Sequence, residues 1–102
     1  MSENLLNLVN TIRDRKNEDK DKSYTSSLLS GGLSKCIDKM EEEFGELKEA
    51  LNNKSNNVVH EAADTIYHIL VALEAADIKF EDVLKELEDR KKQSGIEEKN
   101  NR

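Results

Sequence analysis

The sequence has no proline, no tryptophan and only four glycines, and aromatic residues make up 4% of it. Folds built from strands and tight turns draw heavily on glycine, proline and β-branched residues, so this scarcity points to helices. The single cysteine, Cys36, cannot close an internal disulfide and calls for no oxidising compartment. No run approaches the ~18 apolar residues of a membrane span. Met1 to Asn10 has neither a basic opening nor a long apolar centre, so no secretory leader is expected. Net positive charge is missing too. With 22 acidic against 16 basic residues the formal charge is −6, which disfavours nucleic acid as a partner. It leaves room for one phosphorylated small molecule held by local cations. The expectation is a cytoplasmic protein with no membrane partner.

At 102 residues, 35% hydrophobic and 37% charged, the chain reads as one domain, 1–102, with a small core. A core of that size favours a homo-oligomer that shares apolar surface. A first helix is predicted after Ser2, with Leu5, Leu6, Val9 and Ile12 at helical spacing. "DRKNEDKDKS", Asp14 to Ser23, carries no apolar residue and reads as a solvated linker. A short helical turn is predicted at Ser26 to Leu29, stopped by Gly31 and Gly32. A long helix follows from Leu33 to Leu51, its stripe of Cys36, Ile37, Met40, Phe44, Leu47 and Leu51 expected to face the core. "NNKSNN" separates it from a helix over Val58 to Ala76, which is apolar nearly all round and so expected to be buried nearly all round. A last helix is predicted from Glu81 to Gln93 with Val83, Leu84 and Leu87 inward, followed by a polar tail, 94–102.

Charge on the two long helices is the unusual feature. At 100° per residue, Lys35, Lys39, Glu42, Glu43 and Glu46 share one arc of the first, while Glu41 and Glu49 point elsewhere. On the second, Val59, Ala62, Ala63, Ile66, Leu70 and Leu73 form one face, and Glu61, Asp64 and His68 lie opposite. Like charges three or four residues apart cost roughly 0.2–0.5 kcal/mol per pair. Two readings follow. The faces are solvated, with Lys35 and Lys39 as ordinary i, i+4 partners of the glutamates. Alternatively, the carboxylates converge on a hard divalent cation, Mg²⁺ or Mn²⁺, since no thiolate is among them. For that oxygen-preferring chemistry His68 reads better as a hydrogen-bonded, partly buried histidine than as a ligand.

"EFGE" (Glu43 to Glu46), fourteen residues, then "EAAD" (Glu61 to Asp64) resembles the ExxE…ExxD pattern of the all-α, MazG-like nucleoside triphosphate pyrophosphohydrolases. "SYTSSLLSGGLSKCIDKMEEEFGE", "EAADTIYHILVAL", "FEDVLKELEDR" and "SGIEEK" narrow the resemblance to the phosphoribosyl-ATP pyrophosphohydrolase family of histidine biosynthesis. The resemblance implies an all-α bundle of four main helices plus a short turn, completed by dimerisation. It implies a cytoplasmic homodimer that hydrolyses phosphoribosyl-ATP to phosphoribosyl-AMP and pyrophosphate with Mg²⁺. By position, Glu43, Glu46, Glu61 and Asp64 would hold the metal, and Lys35 and Lys39 would face the triphosphate. Tyr24 and Thr25 become candidate substrate contacts, although Tyr24 also suits packing under the loop and Thr25 suits a helix cap. Glu42 and Glu46 are the candidate bases for a water attacking the phosphoanhydride. Asp38, Glu41, Cys36 and Asp77 depart from the family's usual residues, and none is an implied ligand. Two rivals stand beside this reading: a house-cleaning enzyme acting on another (deoxy)nucleoside triphosphate, and a non-catalytic helical dimer.

Overall fold

The computed structural model describes residues 2–91; the predicted tail 94–102, with "SGIEEK", and the end of the last predicted helix lie outside the described residues. Five helices and no strand occur among the described residues: α1 (Ser2–Arg15), α2 (Tyr24–Ser30), α3 (Leu33–Asn52), α4 (Val58–Ala75) and α5 (Phe80–Arg90). None of these helices is long and apolar enough to cross a membrane.

Local chemistry sets the boundaries. Ser23 caps α2, its hydroxyl accepting from the Ser26 N–H at 3.0 Å, which satisfies one donor that the helix start leaves free. The cap is therefore Ser23 and not Thr25. Ser26 is buried and donates its own hydroxyl to the Arg15 carbonyl at 3.1 Å, tying α2 to the end of α1. Gly32 opens α3 at φ 88, a backbone conformation costly for any residue with a Cβ. Asp77 turns the chain after α4 at φ 60.

The core lies where α1, α2, α3, α4 and α5 meet, formed by Val9, Ile12, Leu28, Cys36, Leu70, Val71 and Phe80. Cys36 is a core residue, its thiol donating to the Leu28 carbonyl at 3.4 Å. Leu5 and Leu6 pack at the edge of this cluster, as do Met40, Val83 and Leu84.

Three expectations about burial fail. Of the α3 stripe, Cys36 is buried and Met40 packs against the core, but Ile37, Phe44 and Leu51 are exposed. The buried side of α3 runs instead through Cys36, Glu43 and Ala50, because a seven-residue repeat of buried positions selects a narrower band than the full apolar stripe. On α4 the buried side holds Thr65, His68, Leu70, Val71 and Ala72. The expected all-round burial holds only in the second half of α4, where no residue from Tyr67 to Ala75 is exposed; nearer its start Val59 is 82% exposed and Ile66 51%. Leu87 of α5 also faces outward. α3 and α4 thus form a layer whose inner side packs on the other helices and whose outer side presents Leu33, Ile37, Phe44, Leu51, Val59 and Ile66.

Of the charged run 14–23, Asp14 and Arg15 belong to α1 and not to a linker; the rest is exposed apart from the half-buried Lys16 and Ser23. Lys16 donates to the Glu74 carbonyl at 3.0 Å and pairs with Asp77. Beside it the Arg13 guanidinium sits 3.4 Å from the Glu74 carboxylate and forks onto both oxygens of Glu81, one bond measuring 2.9 Å. These pairs fasten the C-terminal end of α4 to α1 and α5.

Candidate active site

The sequence of α3 and α4 folds their acidic segments against each other. Between them stands Thr65, 2% exposed, whose hydroxyl lies 2.8 Å from the Glu61 carbonyl and 3.1 Å from the Glu43 carbonyl. One proton shared between these two acceptors links the backbone of both helices at their acidic positions. Nothing in the charge pattern singled out Thr65. The one available signal was a small polar residue standing within the apolar register of "EAADTIYHIL".

Around this link one carboxylate oxygen each from Glu43, Glu46 and Glu61 gather within 4.8 Å of one another. Glu43 is 8% exposed, and both its Oε2 and the Oε2 of Glu61 are buried without a hydrogen-bond partner. Burial, and then the adjoining Glu46 carboxyl, push the Glu43 pKa up. Buried carboxylate oxygens are ordinarily bonded or paired with a cation, because desolvating a charge is costly. Three carboxylates so placed, two of which keep an orphaned buried oxygen, fit a hard divalent ion. A cleft of about 260 Å³, lined by Glu46, Glu49, Asn53, Asn57 and Glu61, opens beside them.

Asp64 is placed differently from the other three expected ligands. It groups with Glu61 and with His60, whose Nε2 lies 3.2 Å from Asp64 Oδ2. Glu61 is common to both groups and joins them. His60 is a neighbour that the sequence reading did not select, although its i, i+4 spacing to Asp64 was visible.

Glu42 stands outside the cluster and receives a bond of 3.2 Å from the Lys39 ammonium. Lys39 is thereby held on the acidic arc, whereas Lys35 is exposed.

The start of α2 reaches the same region. His68 is 5% exposed and its Nδ1 lies 2.8 Å from the Asp64 carbonyl. Its Nε2 lies 3.3 Å from the Tyr24 hydroxyl, and both Tyr24 and Tyr67 meet the imidazole edge-on. Thr25 shares a hydrogen bond with the Tyr67 hydroxyl. Tyr24 is 56% exposed, so it does not pack under the loop. Burial of the hydroxyl raises its pKa, the Lys39 charge lowers it, and Glu43 and Glu42 raise it again. Both lysine and glutamates are therefore close enough to act on it.

Comparison with known proteins bears on the same residues. The sequence profile of the phosphoribosyl-ATP pyrophosphohydrolase family matches residues 5–91. A curated protein of Roseobacter denitrificans named phosphoribosyl-ATP pyrophosphatase is 47% identical over 96 residues, covering 93% of this chain and 91% of that protein. Proteins of the same name from Paracoccus denitrificans (45% identical; 93% of this chain, 89% of that protein) and Rhizobium etli (39%; 96% and 92%) are similar over comparable lengths. The matched region contains every candidate site residue from Tyr24 to His68.

Proposed function

The chain belongs to the phosphoribosyl-ATP pyrophosphohydrolase family, and from that premise we propose that the acidic junction of α3 and α4 is its active site. The reaction is hydrolysis of phosphoribosyl-ATP to phosphoribosyl-AMP and pyrophosphate, a step of histidine biosynthesis. The observation that carries the site assignment is the set of three mutually close carboxylates with two orphaned buried oxygens.

Glu43, Glu46 and Glu61 would hold a Mg²⁺ ion, with Mn²⁺ a chemically equivalent occupant, and Asp64 joins them through Glu61. When bound, the ion supplies charge neutralisation on the phosphoryl oxygens and acidifies a water in its shell. The protein's own part is positioning and electrostatics, which dominate phosphoryl transfer. Either Glu42 or Glu46 takes the proton of the attacking water. Glu42 is favoured, because it stands outside the three-carboxylate group and keeps its oxygens from the ion. Lys39, held by Glu42, and the exposed Lys35 act as point charges on the phosphates. Tyr24 and Thr25 border the nucleotide.

The outer side of α3 and α4 supports a homodimer. Its exposed Ile37, Phe44, Val59 and Ile66 are large apolar side chains on the two helices that carry the site. A second copy burying them would enlarge a core that is small for a chain of this length. A cytoplasmic location belongs to the same proposal, in keeping with relatives named for a nucleotide-hydrolysing enzyme.

The deciding experiment is an assay of pyrophosphate release from phosphoribosyl-ATP and from a panel of (deoxy)nucleoside triphosphates, with and without Mg²⁺. Turnover of phosphoribosyl-ATP that requires Mg²⁺ is expected. Fast turnover of a deoxynucleotide with phosphoribosyl-ATP untouched would overturn the substrate assignment.

A further inference from the structure

The loop between α3 and α4 reaches the carboxylate cluster through one side chain. Ser55 is half-buried, whereas residues 51–54, 56 and 57 are exposed. Its backbone N–H donates to the Ala50 carbonyl at 3.0 Å, which fastens the loop to the end of α3. The Ser55 hydroxyl in turn holds Asn57, accepting from the Asn57 backbone N–H at 3.3 Å and bonding to the Asn57 side-chain oxygen. The Asn57 amide nitrogen then donates to Glu61 Oε1 at 3.4 Å, one helical turn further on. Both side-chain contacts fix the same orientation of the amide. A carboxylate has no proton to give, so the nitrogen faces Glu61 and the oxygen is left for the Ser55 hydroxyl.

This side chain is diverted from its usual role. Asn57 stands just before α4, where an asparagine ordinarily caps the helix through its side-chain oxygen. Here it makes no capping bond, and its two polar ends go to Ser55 and Glu61 instead. Glu61 is thereby divided: Oε1 is bonded to the loop, while Oε2 is buried without a partner among the described residues. A carboxylate with one oxygen tied has lost much of its freedom to turn, which leaves the other oriented for a ligand. The Glu61 carboxylate belongs to the group formed with Glu43 and Glu46. We propose that Asn57 is a positioning residue for Glu61, holding Oε1 so that Oε2 is presented to the divalent cation. This deepens the functional reading given above and rests on its metal assignment. Ser55, Asn57 and Glu61 also line the cleft beside the cluster, so the relay stands at the edge of the site.

The test uses the full-length protein, stripped of metal and titrated with Mn²⁺, whose free fraction is read by electron paramagnetic resonance. Asn57→Ser is the principal variant, because serine suits the start of a helix as well as asparagine does but is too short to reach Glu61. The expected Kd for Mn²⁺ is about tenfold higher than in the wild type, with the metal-free Tm unchanged. Turnover of phosphoribosyl-ATP at limiting Mn²⁺ should fall with it and recover as the metal is raised. Ser55→Ala, which removes the grip on Asn57, should raise the Kd about threefold. The double variant should be no worse than Asn57→Ser, because Ser55 acts through Asn57. Should Asn57→Ser fail to fold, Ser55→Ala decides alone, and an unchanged Kd there overturns the inference. An unchanged Mn²⁺ Kd in folded Asn57→Ser, whatever its Tm, would reduce Asn57 to a turn residue and leave the function standing. Weakened Mn²⁺ binding in a protein that ignores phosphoribosyl-ATP would uphold the inference and overturn the function. A wild type that binds no Mn²⁺ overturns the inference and the metal assignment together.

Discussion

The hydroxyl of Thr65 lies 3.1 Å from the main-chain carbonyl of Glu43, on the neighbouring helix. Through this contact, and its bond to the Glu61 carbonyl on its own helix, α4 reads the position of α3 directly. Replacing Thr65 by valine keeps the shape and removes the hydroxyl. The variant should lose about 1 kcal/mol of stability, seen as a fall of ~4–8 °C in Tm. Mg²⁺-dependent turnover should drop by ~10-fold or more, as when a group that orients ligands is removed. Unchanged turnover in a well-folded Thr65→Val protein would show that the helix register is set elsewhere.

Glu43 carries the sharper electrostatic consequence. Its buried carboxylate is crowded by Glu46 and Glu61 and keeps an oxygen without a partner. In protein stripped of divalent ions, Glu43→Gln should raise stability by about 0.5 kcal/mol or more, by relieving like-charge repulsion. The same substitution should cut Mg²⁺-dependent hydrolysis by more than ~100-fold. The wild type should gain Tm on addition of Mg²⁺ and the variant should not. Thermal melts with EDTA and with Mg²⁺ read both effects, and a variant less stable than wild type in EDTA would contradict the repulsion argument.

The outer side of α4 predicts the assembly state. Ile66 is half exposed on the side turned from the core, so Ile66→Glu should leave the protomer fold intact. If two copies bury that side, the substitution places a charge in their contact and yields a monomer in sedimentation velocity. A wild type that sediments as a monomer would remove the dimer from the proposal.

Acid stability should depend on Glu81. The hydrogen bond from Arg13 is the main cause that lowers its pKa from 4.5 to about 2. A depressed folded-state pKa means that the unfolded chain takes up the proton first. The contribution is therefore fully present above pH 4.5 and is lost as pH falls from there through about 2. Glu81→Gln should flatten the acid limb of the stability curve across that window and leave the neutral region with the same shape. Denaturant melts from pH 7 to pH 2 would show this, and identical acid limbs would argue against the Arg13 pairing.

The helices were legible in the sequence because their signals are local: the Gly31–Gly32 stop, the polar "NNKSNN" and the spacing of Val9, Ile12, Leu70 and Val71. The acidic arc was legible for the same reason, since Glu43 and Glu46 face one way by helical geometry alone. What periodicity leaves undecided is which of two adjacent apolar bands on a helix faces the protomer's own core. Ile37 and Phe44 carry the same pattern as Cys36 and Met40, and only packing separates them. Contacts between distant segments were hidden as well. Tyr24 and His68 are 44 residues apart, and Lys16 and Asp77 are 61 apart. No local rule pairs them. Only the family resemblance suggested roles for Glu61 and Asp64, which spacing alone left equal to a solvated face.

The ion-paired anchor at the far end of α4 has a practical consequence. Glu74 lies ten residues beyond Asp64, about 15 Å along the helix. Perturbations separated by more than ~7–10 Å and sharing no partner combine additively. Arg13, Lys16, Asp77 and Glu81 can therefore be redesigned for heat or acid tolerance as one module, with the acidic end of α4, the proposed active site, left as an independent variable. The helix that carries half of the proposed metal site is, for an engineer, two separable handles on one rod.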